Sequence, residues 1–381
     1  STASPPCSLA FARLQRSPSV ISPRSWHREC GLTLRSSGPP PAWHLAREPA
    51  SVIIRFAGQA PIRRCPLSSN VRPMKRHSEH SPIVQLDQDG ALVQVGTTSA
   101  FTSVSSSPYA NIKTRALALV DLFRSHGLDH VKSPSLTQLI ELTVAMSESW
   151  DRGSKDEVTF AHLLAAAQIE RIATAALSIK HCAAPTNALR GLLAGTLDLL
   201  GRQQSKAKDT LWELELLRIL VTHEIDAQLD EPDLVVRFAG TPVGFACKKI
   251  YSEGNVSKVL SNAVAQIERE GDFGIIALNI DDLLPANAIL KAPTLEVMNA
   301  MLEERNNTFL RAHERHFRRY LTPGRAMSAL VSCGTIADVE KAEVRFLNAR
   351  QTTAWQIPGI PAAKADQMNH FIAAMNAQYV A

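Results

Sequence analysis

Residues 209–220 read DTLWELELLRIL, 231–240 EPDLVVRFAG, 241–250 TPVGFACKKI and 255–270 NVSKVLSNAVAQIERE. Leucines three and four apart predict a helix from Asp209 to about Glu224. Pro232 lacks a donor and holds Glu231 extended, so it marks the first turn of a strand rather than a central ladder position. Ala239-Gly240-Thr241-Pro242 supplies a turn, and alternation on both sides of it predicts an antiparallel hairpin. Asn255 or Ser252 starts a second helix, whose buried stripe is Val256, Val259, Leu260, Ala263 and Ile267. The run GIIALNI at 274–280 is apolar throughout, as a central strand covered on both faces should be.

Four polar side chains stand out on this frame. Glu213 precedes Leu216, Leu217 and Leu220 by helical spacings and so shares their buried face, whereas Glu215 faces Arg218 and Ile219 nearer the boundary. A carboxylate on an apolar stripe is costly without a partner. In the extended chain Glu231, Asp233, Val235 and Arg237 fall on one face, and Leu234, Val236 and Phe238 on the other. On the return strand Val243, Phe245 and Cys247 should pack against a helix, while Lys248 points to the side where Gly244 and Ala246 leave space. Gln266 sits at the edge of the second helix's stripe. Each residue also has a plainer reading: Glu213 as a surface-edge acid, and Lys248-Lys249 as a strand running out into water.

Taken together, 210–282 resembles the PD-(D/E)xK phosphodiesterase superfamily, the fold of many restriction endonucleases and repair nucleases. The likeness lies in the order αβββαβ, in Pro232-Asp233, and in a lysine fifteen residues after the Asp. It implies an α/β, restriction endonuclease-like core and a metal-dependent nuclease acting on DNA. It implies that Asp233 holds Mg²⁺ or Mn²⁺, that Lys248 positions or activates the attacking water, and that Glu213 and Gln266 are the helical acid and glutamine. The chain departs from the pattern at Ala246, where the family carries an acid two residues before the lysine. Glu231 shares the face of Asp233 and is the expected substitute ligand, and Cys247 is a soft ligand on the wrong face. Without a substitute, the domain would be an inactive nuclease-fold module that binds nucleic acid or protein.

The rest of the chain adds context. Residues 1–73 hold eleven of the 22 prolines and ten Arg with no Lys, against only Glu29 and Glu48. This composition predicts disorder. It suits a transit peptide, a nucleic-acid-binding tail, or an extension upstream of the true start, since the first Met is Met74. That segment carries +8 of the net +5, leaving the body slightly acidic, so nucleic-acid contact must come from a local patch. Residues 74–108 read as a linker with a short strand at Ala91–Val95.

Four apolar stripes across 109–205 predict a helical domain, more simply a bundle core than a helix-turn-helix reader. The fourth stripe is Leu189, Leu192, Leu193, Leu197 and Leu200. His130, His162 and His181 have no ligand spacing and read as surface or capping residues. The nuclease-like domain is then 206–381, with a long helix from Thr294, strands at Ser328–Cys333 and Glu343–Ala349, and a last helix at Lys364–Tyr379. Arg315, Arg318 and Arg319 at the end of the long helix, with Lys249, are the expected phosphate contacts, although cations at a helix C-terminus also favour the dipole. Six cysteines form no CxxC pair, so neither a zinc site nor a disulfide framework is expected and a reducing cytoplasm is the default. No run approaches the ~20 apolar residues of a membrane span. DNA is the expected partner, and a homodimer is left open.

Overall fold

The computed structural model describes residues 11–13, 81–86, 92–182, 184–238, 240–342, 344 and 346–377. In chain order they form β1 (Phe11–Arg13), β2 (Ser81–Leu86), β3 (Leu92–Ser105), and helices α1 (Tyr109–Ser125), α2 (Pro134–Asp151), α3 (Phe160–Ala176), α4 (Pro185–Leu192) and α5 (Lys206–Thr222). Next come β4 (Ala227–Gln228), β5 (Leu234–Phe238), β6 (Thr241–Lys249), α6 (Val256–Glu270), β7 (Gly274–Asn279) and β8 (Ala288–Ala292). Helix α7 (Leu295–Leu321), β9 (Ser328–Val339), β10 (Phe346–Gln356) and α8 (Ala362–Ala377) complete the fold.

All the described strands join one mixed sheet of order β2-β3-β10-β9-β7-β6-β5-β4, with β8 also beside β9 and β1 on β8. The hairpin forms as the sequence predicts: Leu234 pairs with Phe245 and Phe238 with Thr241. Gly240, at φ +82°, makes the turn in the left-handed region that glycine tolerates. Strand β7 lies parallel to β6 on one side and to β9 on the other, and all its residues are buried. A strand buried on both faces needs apolar residues at every position, which GIIALN supplies.

One sheet face packs Val243, Phe245 and Cys247 against Trp212, Leu216, Leu217 and Leu220 of α5 and Phe371 of α8. The other face packs Ala246 and Ile250 against Leu260, Val264 and Ile267 of α6 and Phe309 and Phe317 of α7. Helices α1–α4 surround a third cluster that takes Ala207, Leu211 and Leu214 from α5. Helix α5 is therefore shared between bundle and sheet. Its nearly continuous leucine run fits a helix covered on more than one side.

Several expectations change. The segments 109–205 and 206–381 are not separate domains, because all described residues belong to one compact unit. The reading of 74–108 as a linker is corrected by β3, which pairs with β10 from Thr97–Gln356 to Ser105–Asn348. The fourth bundle helix stops at Leu192. Leu197 and Leu200 are buried from an irregular segment instead. Both late strands run longer than predicted, and β8 carries no strong alternation that would announce it. His162 caps α3, as its Nδ1 accepts from the Thr159 backbone N–H at 3.1 Å.

Most of the 1–73 tail lies outside the described residues. Its one described strand, β1, pairs antiparallel with β8 over three residues. Deleting 1–73 removes only that pairing from the described fold. The melting temperature is expected to fall by no more than about a few degrees. A collapse measured by thermal unfolding would show that the tail has a structural role.

Candidate functional site

Strand β5 begins one residue after Asp233, and the hairpin register carries Asp233 across β6 to Cys247 and Lys248. The Lys248 ammonium stands 2.9 Å from Asp233 Oδ2, and the Cys247 backbone N–H donates to the same oxygen at 2.7 Å. Gln266 Nε2 donates to Asp233 Oδ1 at 3.2 Å and also to the Pro232 carbonyl. Asp233 is thus held by one cation, one backbone amide and one side-chain amide, so its carboxylate has a fixed orientation. Pro232 seats against Gly244: a Cβ built on that glycine would meet Pro232 Cδ at 2.7 Å. The missing side chain at Gly244 therefore lets the Pro232-Asp233 turn approach β6 closely.

Glu213 arrives from α5 and is half-buried, with Lys206 Nζ 4.0 Å from its carboxylate. Burial, then the negative charge of Asp233, push its carboxyl up to about 7, against smaller opposing effects of Lys206 and Lys248. One turn earlier, Asp209 accepts a hydrogen bond from the Tyr251 hydroxyl at 2.8 Å, and burial raises its carboxyl too.

The structure thus joins Asp233, Lys248 and Gln266 by hydrogen bonds and sets Glu213 within their electrostatic reach. It does not bring Glu231 to them. Glu231 is exposed, and its backbone N–H donates to Asp230 Oδ1. No hydrogen bond or ion pair links it to Asp233, Lys248 or Gln266 among the described residues. Ala246 is fully buried among α6 and α7 side chains, so no acid replaces it there. Among the described residues no group of three or more His, Cys, Asp or Glu converges as a metal cage.

Lys249 is corrected as a phosphate contact. Its ammonium pairs with Asp282 at 2.7 Å and donates to Asn279 at 2.8 Å, and its side chain is 4% exposed. Lys208 pairs with the other Asp282 oxygen at 2.9 Å. Arg315 and Arg319 are exposed at the end of α7. Arg318 is occupied by Glu314 at 2.6 Å and lies over the Trp355 ring.

No family model, curated protein or solved structure matches this chain. The functional reading therefore stands on the residues themselves.

The structure also holds a buried charge network that the sequence reading missed. Glu215, not Glu213, is the more deeply buried acid of α5. It pairs with Arg171 and, at 2.8 Å, with Arg350, and both guanidiniums also reach Asp281. Asp281 Oδ1 further accepts from the Gly334 backbone N–H at 2.6 Å. The only signal in the sequence was the acid pair Asp281-Asp282 directly after a wholly apolar strand.

The Glu213 carboxyl makes a sign-specific prediction. A raised acid binds a proton more tightly folded than unfolded, so stability falls as pH rises from about 4.5 to about 7 and then levels. The gap corresponds to roughly 3 kcal/mol. Glu213→Gln removes that cost and is expected to raise stability at pH 8, with little effect at pH 4.5. Urea unfolding at both pH values reads the difference, and an equal effect at both would contradict the assignment.

Proposed function

We propose that the chain is a metal-dependent nuclease of restriction endonuclease-like architecture, hydrolysing phosphodiester bonds in DNA. The observation that carries this reading is the cluster of Asp233, Lys248 and Gln266, joined at the sheet's end with Glu213 beside it. The supporting frame is the order α5-β4-β5-β6-α6-β7, in which the acid and lysine come from neighbouring antiparallel strands.

The donor set suits a hard divalent cation. Glu213 and Asp233 offer only oxygen, and Mg²⁺ commonly takes one or two carboxylates and keeps several waters. The mutual repulsion that helps hold the Glu213 carboxyl up is what a cation would relieve. Glu213 and Asp233 would hold the ion, which when bound would acidify a water and neutralise the scissile phosphate. Lys248 sets its side-chain nitrogen at the same carboxylate, where it can hold a phosphate oxygen or orient water. Gln266 is a positioning residue, because its amide fixes the Asp233 carboxylate. The exposed Arg315 and Arg319 extend a basic surface for the DNA backbone.

The experiment is cleavage of single- and double-stranded DNA by the full chain with Mg²⁺ or Mn²⁺, with chelator as the control. Metal-dependent cleavage that copurifies with the chain supports the reading. Absence of cleavage on either substrate counts against it. Ala246 favours a second reading, a nuclease-fold module that binds nucleic acid without cutting it. DNA retention in a gel shift, with no heat of Mg²⁺ binding, would select it. Under either reading, replacing Arg315, Arg318 and Arg319 together should flatten the salt dependence of DNA binding. The expected change is about two units of slope, because Arg318 is already occupied. An unchanged slope leaves the helix end as a solvated face.

A further inference from the structure

A polar cavity lies between β3, β10, α3 and α5, and no side chain of the Asp233 cluster lines it. Three guanidiniums line it, those of Arg171, Arg218 and Arg350, and a fourth, that of Arg115, donates to the lining Thr174 hydroxyl at 2.9 Å. Three carboxylates answer them. Glu170 is paired with Arg115 at 3.2 Å, and Glu215 and Asp281 are shared by Arg171 and Arg350. Arg218 is the surplus cation. It lines the cavity and has no hydrogen-bond or ion-pair partner among the described residues. Burial, with the charges of Arg350 and Arg115, makes its own charge unfavourable, and Glu215 and Glu170 offset this only in part.

The opposite wall supplies neutral groups. Ser103 pairs with Arg350, and Ser105 with Asn348, in the antiparallel β3–β10 register. Directly opposed residues share one sheet face, so both hydroxyls point the way Asn348 and Arg350 do, and all four line the cavity. Neither hydroxyl has a hydrogen-bond partner among the described residues. Asn348 is 7% exposed, and its Nδ2 donates to the Ala167 carbonyl at 2.8 Å, which fixes the orientation of the amide. Its Oδ1 is buried without a partner. An unpartnered guanidinium that shares a polar cavity with two free hydroxyls calls for a ligand that brings negative charge and several acceptor oxygens.

We propose that this cavity binds a phosphate group. Two phosphate oxygens can take the Arg218 guanidinium side-on, and the serine hydroxyls can donate to the remaining oxygens. A carboxylate has only two oxygens, and with both on the guanidinium it has no further oxygen for the serine hydroxyls. The site does not rest on the hydrolytic reading, since it uses none of the same side chains.

The test is calorimetric titration of the full chain with inorganic phosphate at constant ionic strength in chloride. Saturable binding is expected, weaker by about tenfold or more in Arg218→Gln, because hydrogen bonds to charged groups are worth that much. The double variant Ser103→Ala/Ser105→Ala should also bind more weakly, and it decides the matter if Arg218→Gln does not fold. No saturable phosphate binding overturns the proposal, as does wild-type affinity in the folded variants. A 5′-phosphorylated oligonucleotide that displaces phosphate would make the ligand a nucleic-acid end. Failure to displace would make it a free or small-molecule phosphate, and either result upholds the site.

Discussion

Replacing Arg350 with Met is expected to destabilise the protein by about 3–5 kcal/mol. Arg350 donates to Glu215 at 2.8 Å, to Asp281 at 2.9 Å and to the Ser332 hydroxyl at 2.8 Å, with all four side chains buried. Its removal leaves Arg171 as the one guanidinium bonded to two interior carboxylates. Methionine fills much of the volume, so the loss is chiefly electrostatic rather than a cavity. The pH dependence carries a signature. Burial alone would raise the Asp281 carboxyl, but Arg350 and Arg171 outweigh it and hold it well below the ordinary range. Burial likewise opposes Glu215, and Arg171 with Arg350 again wins. A depressed carboxylate contributes stability above its unfolded pKa and loses it as pH falls through the folded value. Wild-type stability should therefore decline on acidification below about pH 4, and the variant should decline less steeply. An unfolding free energy from urea titration within about 1 kcal/mol of wild type would show that the network contributes little.

That network marks where reading the sequence stops. Between Asp233 and Gln266 the chain is nearly local: Pro232 starts the strand, Gly240 turns it, and hairpin register then dictates that Asp233 meets Lys248. Periodicity there is sufficient, because β5 and β6 are partners close in sequence and their side chains alternate between the two faces. Helix α5 defeats the same logic. Stripe counting assigns Glu213 to the buried face and Glu215 to the boundary. Yet α5 is covered by the bundle as well as the sheet, so a stripe no longer separates inside from outside. Glu215 is the interior acid, answered by Arg171 and Arg350 from segments far away in the chain. Lys249 fails for a similar reason. Two adjacent lysines ending a strand read as solvated, but Asp282, which follows the neighbouring parallel strand, draws Lys249 inside. The β3–β10 pairing joins residues some 250 positions apart, and no local pattern can foretell it.

Asp233→Ala is expected to abolish divalent-metal-dependent cleavage while leaving the fold intact. The fold should survive because Asp233 lies in the turn before β5, only partly buried, and the β5–β6 backbone ladder does not use its side chain. Cleavage should not survive. Asp233 gathers Lys248, Gln266 and the Cys247 amide on its two oxygens, and a methyl group gathers none of them. Under the proposed function it also loses one of the two carboxylates available to the cation, a charge that no water replaces. The loss should be at least about a hundredfold, the scale on which a single electrostatic catalytic group acts. A second readout does not depend on activity. After burial, the charge of Asp233 is the largest influence raising the Glu213 carboxyl. Asp233→Asn keeps the shape and removes that charge, so the Glu213 carboxyl should fall toward its ordinary range. The window between about pH 4.5 and 7 over which Glu213 costs stability should then narrow. Comparing Glu213→Gln in the Asp233→Asn and wild-type backgrounds measures that change as a double-mutant cycle. Full cleavage by Asp233→Ala, given a parent protein that cuts, would sink the nuclease mechanism. Additive behaviour in the cycle would show instead that Glu213 and Asp233 do not act on one another.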